Sequence, residues 1–322
     1  MRHKLYQRES GMALIIVLLI VMAIAMMASS YVLSSRRDIR TTQVIKTQAS
    51  KNADIEKYLN LSKFWLMHPE DKKRWVADGR LYQIQTQNEI IRIQITSETG
   101  KCDINNASED LLRAILKVAT PDRKLQQQLV DRLIDWRDED DERLDFGAES
   151  ADYLRRKFNY IPNNQAFESV DDLLMVMDFD ASILDKIRPY ITVYSQQADI
   201  NYHNASIDML RLLKQDFSQR HIQDLELDKE LDLKLNPYPL SNENPEESLS
   251  SIEPDQVYNV IIEIKTIDNI RYSLETYLKT QAEDSVFWPF QTLDWKTNQL
   301  KTSLFADQPK SAIFELSNEF TN

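Results

Sequence analysis

From Met12 to Ser35 the chain carries no charged residue, and from Met12 to His68 it contains neither glycine nor proline. A helix needs about 20 apolar residues to cross a hydrocarbon core, and the run that Arg36 and Arg37 close is long enough. The helical pattern does not stop there. Val44, Ile55, Leu59, Leu61 and Leu66 carry it on, and Pro69 is the first strong stop signal. A helix over the whole interval would be about 85 Å long. Its first half, residues 12–35, dissolves in lipid, and its second half, 36–68, is amphipathic.

Ahead of the run lie Arg2, Lys4 and Arg8 against Glu9, then Gly11. A basic flank stays cytoplasmic and sends the long C-terminal part outward. A secretory signal cut near Ala23–Ala28, an uncut signal anchor and a leader cut ahead of the apolar helix all begin this way. The third fits best, because the glycine precedes the run and no helix breaker follows it.

Gly11-Met12-Ala13-Leu14-Ile15-Ile16 resembles a prepilin peptidase site. The resemblance implies cleavage after Gly11, methylation of Met12 and a helix that assembles through a face bearing Leu14, Ile16, Leu18 and Val21. Most pilins carry Glu at the fifth mature position, where this chain has Ile16. In that departure it is similar to the general secretion pathway protein K family, the tip minor pseudopilins of type II secretion. A tip subunit has no predecessor whose amine the Glu would pair with, and an apolar residue keeps a bare carboxylate out of lipid.

Past Pro69, Leu81–Thr86 and Ile91–Thr96 read as short strands around a Gln87-Asn88 turn, after a turn over Trp75–Gly79. Ile91, Ile93 and Ile95 alternate with polar residues, the period of a half-buried sheet. From Asp103 to Leu235 the periodicity is helical. Residues 236–255 hold four prolines among Ser, Asn and Glu and read as a flexible linker. A second hairpin follows, with Val260, Ile262 and Ile264 turning at Asp268-Asn269 into Ile270, Tyr272 and Leu274. Phe287, Trp288, Phe290 and Trp295 are candidate anchors of the polar tail.

The expected organisation is a leader (1–11), a membrane half (12–35) and an outer half (36–68) of one helix, sheet (69–102), helical block (103–235), linker (236–255), then sheet and tail (256–322). The fold class is α+β: a pilin-like long N-terminal α-helix packed on an antiparallel sheet, with an inserted all-α domain. The protein K family resembles the chain in this architecture over nearly its whole length.

The formal charge is −12, from 39 basic and 51 acidic residues. Such a body repels phosphate backbones, so no nucleic-acid partner is expected. Cys102 is alone, which excludes an internal disulfide. The four histidines are scattered and no phosphate loop, His-Glu-x-x-His or nucleophile elbow occurs, so no enzyme is expected.

Asp103-Ile104-Asn105-Asn106-Ala107-Ser108 recurs loosely over Asp199–Ser206, each time before a Leu-rich helix. The plain reading is two capped helix starts. The repeat also resembles the opening of a helix-hairpin-helix (SAM-like) unit, which raises a membrane-anchored DNA receptor as the rival function. Against that rival, the hairpin turn is Met177-Asp178-Phe179-Asp180, with two carboxylates where phosphate-binding turns have glycine.

The densest acidic run is Asp138–Glu149. Calcium takes about six to eight oxygen ligands, which closely spaced carboxylates can supply. Asp138, Asp140, Glu142 and Glu149 fall on EF-hand-like positions, with Asp152 in reserve, but Arg143 stands where an EF-hand has glycine; Gly147 is then the candidate for the sharp turn. A solvated acidic loop is the competing reading. The family resemblance implies structural calcium here. It further implies a bacterial inner-membrane, single-pass protein with its globular part in the periplasm. Its partners would be minor pseudopilins I and J and the prepilin peptidase, with contacts to exported substrate or the outer-membrane channel. A minor pilin of a type IV pilus is the remaining alternative.

Overall fold

The computed structural model describes residues 10–68, 74–215, 220–235, 256–281, 289–306 and 313–316. The leader ahead of Ser10, the 236–255 linker, Phe287 and Trp288 lie outside the described residues. The chain divides into two compact units, Met1–Glu56 and Lys57–Asn322.

Helix α1 (Ser10–Leu66) is unbroken and ends just before Pro69, as a stretch free of glycine and proline dictates. It is long and apolar enough to cross a membrane. Every large apolar side chain from Leu14 to Leu33 is exposed. A helix apolar all round needs lipid or other helices about it.

Within the second unit, the last turns of α1 bury Tyr58, Leu59, Trp65 and Leu66. The carbonyl of Trp65 accepts the Trp75 amide at 2.9 Å. Trp75 stacks on Trp65 on one side (centroids 6.4 Å) and on Tyr82 on the other (4.2 Å). The helix end is thereby fixed to strand β1 (Asp78–Gln85).

A six-stranded sheet follows in the order β7-β6-β5-β2-β1-β8. Strands β2 (Glu89–Ser97), β5 (Val257–Thr266), β6 (Arg271–Thr280) and β7 (Phe290–Thr297) pair antiparallel with their neighbours, and β8 (Ile313–Leu316) lies parallel to β1. The isoleucine alternation sets the core face. Ile91, Ile93 and Ile95 are wholly buried and stand opposite Ile264, Ile262 and Val260, which face Tyr272, Leu274 and Thr276 in turn. The strands run longer than the apolar alternation suggested. Gly79 is not the end of a turn but lies inside β1 at φ +86°, where the register slips between Asp78 and Leu81. Glycine permits that backbone bulge. Phe290 is buried, whereas Trp295 is half exposed on the outermost antiparallel strand.

Apart from α1, the described helices all lie between two adjacent strands, β2 and β5. Ser97, at the end of β2, stands opposite Tyr258, at the start of β5, so the chain leaves and re-enters the sheet at neighbouring points. An insertion whose ends meet disturbs a sheet little. The inserted block holds α2 (Glu109–Leu116), α3 (Arg123–Arg137), α4 (Ser150–Arg155), α5 (Ala181–Ile187), α6 (Ile207–Lys214) and α7 (Arg220–Leu235). The two-residue strands β3 (Cys102–Asp103) and β4 (Ile191–Thr192) pair at its base. Its core packs Leu112, Leu129, Leu133, Trp136, Tyr153, Phe167 and Leu210. Cys102 is fully buried, and burial pushes its thiol far above the usual range, which leaves it an inert core side chain.

Candidate functional site

Sequence points to three places: the start of α1, the two similar helix openings, and the acidic loop. Gly11 and Met12 lie in the first turns of α1. Leu14, Ile16, Leu18 and Val21 are all exposed, so this stretch offers an apolar surface on every side rather than one seam.

The two openings are alike in their hydrogen bonds. Ser108 Oγ accepts the Leu111 amide (3.4 Å) at the start of α2, and Ser206 Oγ accepts the Met209 amide (3.2 Å) at the start of α6. Counting back from these caps pairs Asp103 with Asn201, not with Asp199 as the sequence alignment had it. Asp103 Oδ1 takes the Asn105 amide and Asn201 Oδ1 the His203 amide, the same Asx turn two residues on. The hairpin turn between Val170–Met175 and α5 is closed to phosphate. Its Met177 amide donates to the Tyr153 hydroxyl at 2.8 Å. Asp178, at φ +66°, gives its carboxylate to Arg132 and, at 2.7 Å, to Arg156. Asp180 Oδ1 caps α5 through Ile183. A turn presenting carboxylates held by the chain's own arginines disfavours an anion.

The acidic loop begins at the end of α3. Asp135 is fully buried; its Oδ1 accepts the Leu144 amide at 3.2 Å, while its Oδ2 has no hydrogen-bond partner. Asp138 Oδ1 and both carboxylate oxygens of Glu149, a residue only 6% exposed, are likewise buried without a partner, as is Asn164 Oδ1. Asn164 is tied to the same loop, its Nδ2 donating to the Asp140 carbonyl (3.0 Å) and to Asp141 Oδ1 (3.2 Å).

Buried acceptors left without donors are costly, and the electrostatics record the cost. Burial first, then the charges of Asp135, Asp138, Asp141 and Asp140, push the Glu149 carboxyl up to about 7. Burial likewise raises Asp135 to about 6, with Asp138 and Asp131 adding to it against two backbone hydrogen bonds. Asp138 is raised too, by burial and by Asp140. Among the described residues no group of three or more His, Cys, Asp or Glu side chains is placed to hold a metal ion. The charges of Asp135, Asp138, Asp141 and Asp140 nonetheless all act on Glu149, and hard carboxylate and amide oxygens are the donor set calcium takes.

The remaining sequence candidates are placed differently. Asp140 and Glu142 are exposed, and Asp140 Oδ1 accepts the Glu142 amide at 2.8 Å. Asp152 caps α4, its Oδ2 accepting the Glu149 amide (3.3 Å) and its Oδ1 pairing with Arg155 (3.0 Å). Gly147 does not make the turn through an unusual backbone angle. A Cβ there would stand 1.8 Å from Asp135 Oδ2, so glycine lets the loop close over that carboxylate. Two members of the buried group were not among the sequence candidates. Asp135 had a signal, three residues before Asp138 at the end of an apolar-faced helix. Asn164 had none, because a loop fold brings it in.

A family model described as type II secretion system protein K matches residues 87–196. A type II secretion system protein K from Dickeya chrysanthemi is 36% identical over 83 residues, 26% of this chain and 22% of that protein's length. Proteins of the same description are 23% identical over 229 residues in Klebsiella pneumoniae (64% of this chain, 69% of that one) and over 225 in Pseudomonas aeruginosa (63% and 67%). A crystal structure of the GspK-GspI-GspJ complex from the enterotoxigenic Escherichia coli type 2 secretion system contains a chain of similar fold. The TM-score is 0.53 at 16% identity, covering 81% of this chain and 99% of that one. A long N-terminal helix on an antiparallel sheet with inserted helical elements is the architecture they share. Over residues 87–196 the chain is similar to the type II secretion system protein K family, and over somewhat less than two thirds of its length to proteins of that description.

Proposed function

We propose that this protein caps the pseudopilus of a type II secretion system, anchored in the bacterial inner membrane with its sheet and helical block in the periplasm. One observation carries the reading: α1 is continuous from Ser10 to Leu66, wholly exposed in its apolar first half and fastened to a sheet at its end. Prepilin peptidase would cut after Gly11 and methylate Met12. The partners would be minor pseudopilins I and J, by likeness to the complex of GspK with GspI and GspJ. Their helices would pack about Leu14, Ile16, Leu18 and Val21. The inserted block, built from two helix-hairpin-helix-like openings, widens the head above the sheet and obstructs addition of a further subunit. Exported substrate or the outer-membrane channel would meet this head.

A structural calcium ion belongs to the same reading. Asp138 and Glu149 from the sequence candidates, joined by Asp135 and the amide oxygen of Asn164, would hold it, because theirs are the buried oxygens without donors. Asp140, Glu142 and Asp152 rank behind them. The ion supplies the positive charge that these carboxylates lack.

Membrane extraction tests the assembly. With tagged I and J subunits co-expressed, the parent chain should co-purify with both, and Leu14→Lys/Val21→Lys should not. Equal recovery of that variant, or no recovery of the parent, would contradict the proposal.

A further inference from the structure

The two sides of the sheet are guarded unequally. An edge strand offers its amides and carbonyls to any extended chain unless bulges or charges spoil it. β7 is spoiled in this way. Its register slips at Leu293, opposite Tyr277 and Leu278. Asp294 Oδ1 accepts the Trp295 amide at 2.7 Å, and Lys296 pairs with Asp294 at 2.8 Å. β1 has no such guard beyond its bulge between Asp78 and Leu81. From Leu81 to Gln85 it carries no charge and keeps a regular register, with Leu81, Tyr82 and Ile84 buried.

What covers β1 is the chain's own tail. β8 lies parallel to it over four residues, Ile313–Leu316, at the end of the sheet. That is short for a strand, and parallel pairing is the weaker kind per residue. The tail is fastened separately, ahead of β8: the Leu304 amide donates to the buried Glu263 carboxylate at 2.6 Å, and the Leu304 carbonyl accepts Arg92 Nη1 at 2.8 Å. The register also tells which strand fits. Phe314 and Leu316 stand level with Tyr82 and Ile84, in rows that continue through Ile93 and Ile91 of the core face. Glu315 stands level with Gln83, in the row of Arg92, whose Nε donates to Gln83 Oε1 at 2.9 Å. A strand in this place therefore needs apolar residues two apart with an acid between them.

We propose that the β1 edge is a strand-acceptor site, filled within the chain by β8 and open, when β8 lifts, to an extended apolar-acid-apolar segment of a neighbouring protein that adds parallel to β1. Main-chain hydrogen bonds supply affinity and the alternating rows supply specificity.

The test uses the full-length chain in nanodiscs and a fluorescent synthetic peptide of residues 311–318, read by anisotropy. The parent, its edge filled, should bind the peptide weakly. Phe314→Pro/Glu315→Pro removes a donor in either phase of the ladder and alters no residue of β1; it should bind the peptide at least about tenfold more tightly. Only alternate amides of a strand face one neighbour, so N-methylation of every second peptide amide should abolish binding in one phase and spare it in the other. Equal affinity of parent and variant, binding that survives both methylated peptides, or a dimer of the variant that the peptide cannot dissolve would overturn the proposal. Hydrogen exchange of the parent needs no variant: the amides of 313–316 should exchange at least about tenfold faster than those of β5, and equal protection would also overturn it.

Discussion

Burial and neighbouring carboxylates raise the Glu149 and Asp135 carboxyls, which makes stability depend on pH. A carboxyl whose folded value is raised binds its proton more tightly folded than unfolded, so folding is favoured below that value and loses stability as pH rises through it. With Glu149 near 7 and Asp135 near 6, the loss runs from the ordinary carboxyl range, about pH 4, up to about pH 7. In chelator the thermal midpoint should drop across that window; saturating calcium, which binds the deprotonated carboxylates, should flatten the profile. Glu149→Gln should lose the upper part of that pH dependence, keep the part that Asp135 carries, and respond less to calcium; a parent midpoint that ignores calcium would sink the metal reading. Gly147→Ala should cost about 1–3 kcal/mol, because its Cβ falls on a carboxylate that is itself fully buried. Chemical denaturation of the two proteins in calcium decides that; a neutral substitution would mean the loop moves freely. Of this group, the carboxylate run Asp138–Glu149 was legible from spacing. Whether each oxygen points inward, caps a helix like Asp152 or faces water like Glu142 depends on packing that spacing does not encode.

Elements were easier to read where a residue's role is local. The α1 stop before Pro69, the isoleucine ladder of β2 and the β5–β6 hairpin at Asp268-Asn269 all stand where periodicity and turn chemistry put them, with Asn269 at φ +61°. The last strands were not legible. β7 has a half-exposed Trp295 and a register slip opposite Tyr277 and Leu278, and edge strands lack clean alternation because only one neighbour sets their face. The helical openings lie between these cases. Two capped helix starts were expected, but that Ser108 and Ser206 are the caps, and that Asp103 pairs with Asn201, emerges only from the hydrogen bonds. Ser108→Ala and Ser206→Ala should each cost about 1 kcal/mol and add when combined, since the caps serve separate helices. Equilibrium unfolding of the two single variants and the double variant measures it; no loss in either single variant would show that tertiary packing alone holds those helix starts.

On the scale of the molecule, the first unit carries an apolar surface on every side of α1, long enough to cross a membrane, and the second carries the sheet and the helical block. Ser97 and Tyr258 sit side by side, so the helical block can be carried without breaking the sheet that grips α1. All of this presupposes that α1 enters the assembly with a processed N-terminus, since Ile16 stands where a pairing carboxylate would need a neighbour's freed amine. Intact mass of the chain extracted from membranes of cells that contain the prepilin peptidase measures this directly. The account expects a protein that begins at Met12 and carries one additional methyl group. A mass that starts at Met1, or one that starts near Ser29 with the apolar run removed, would contradict it.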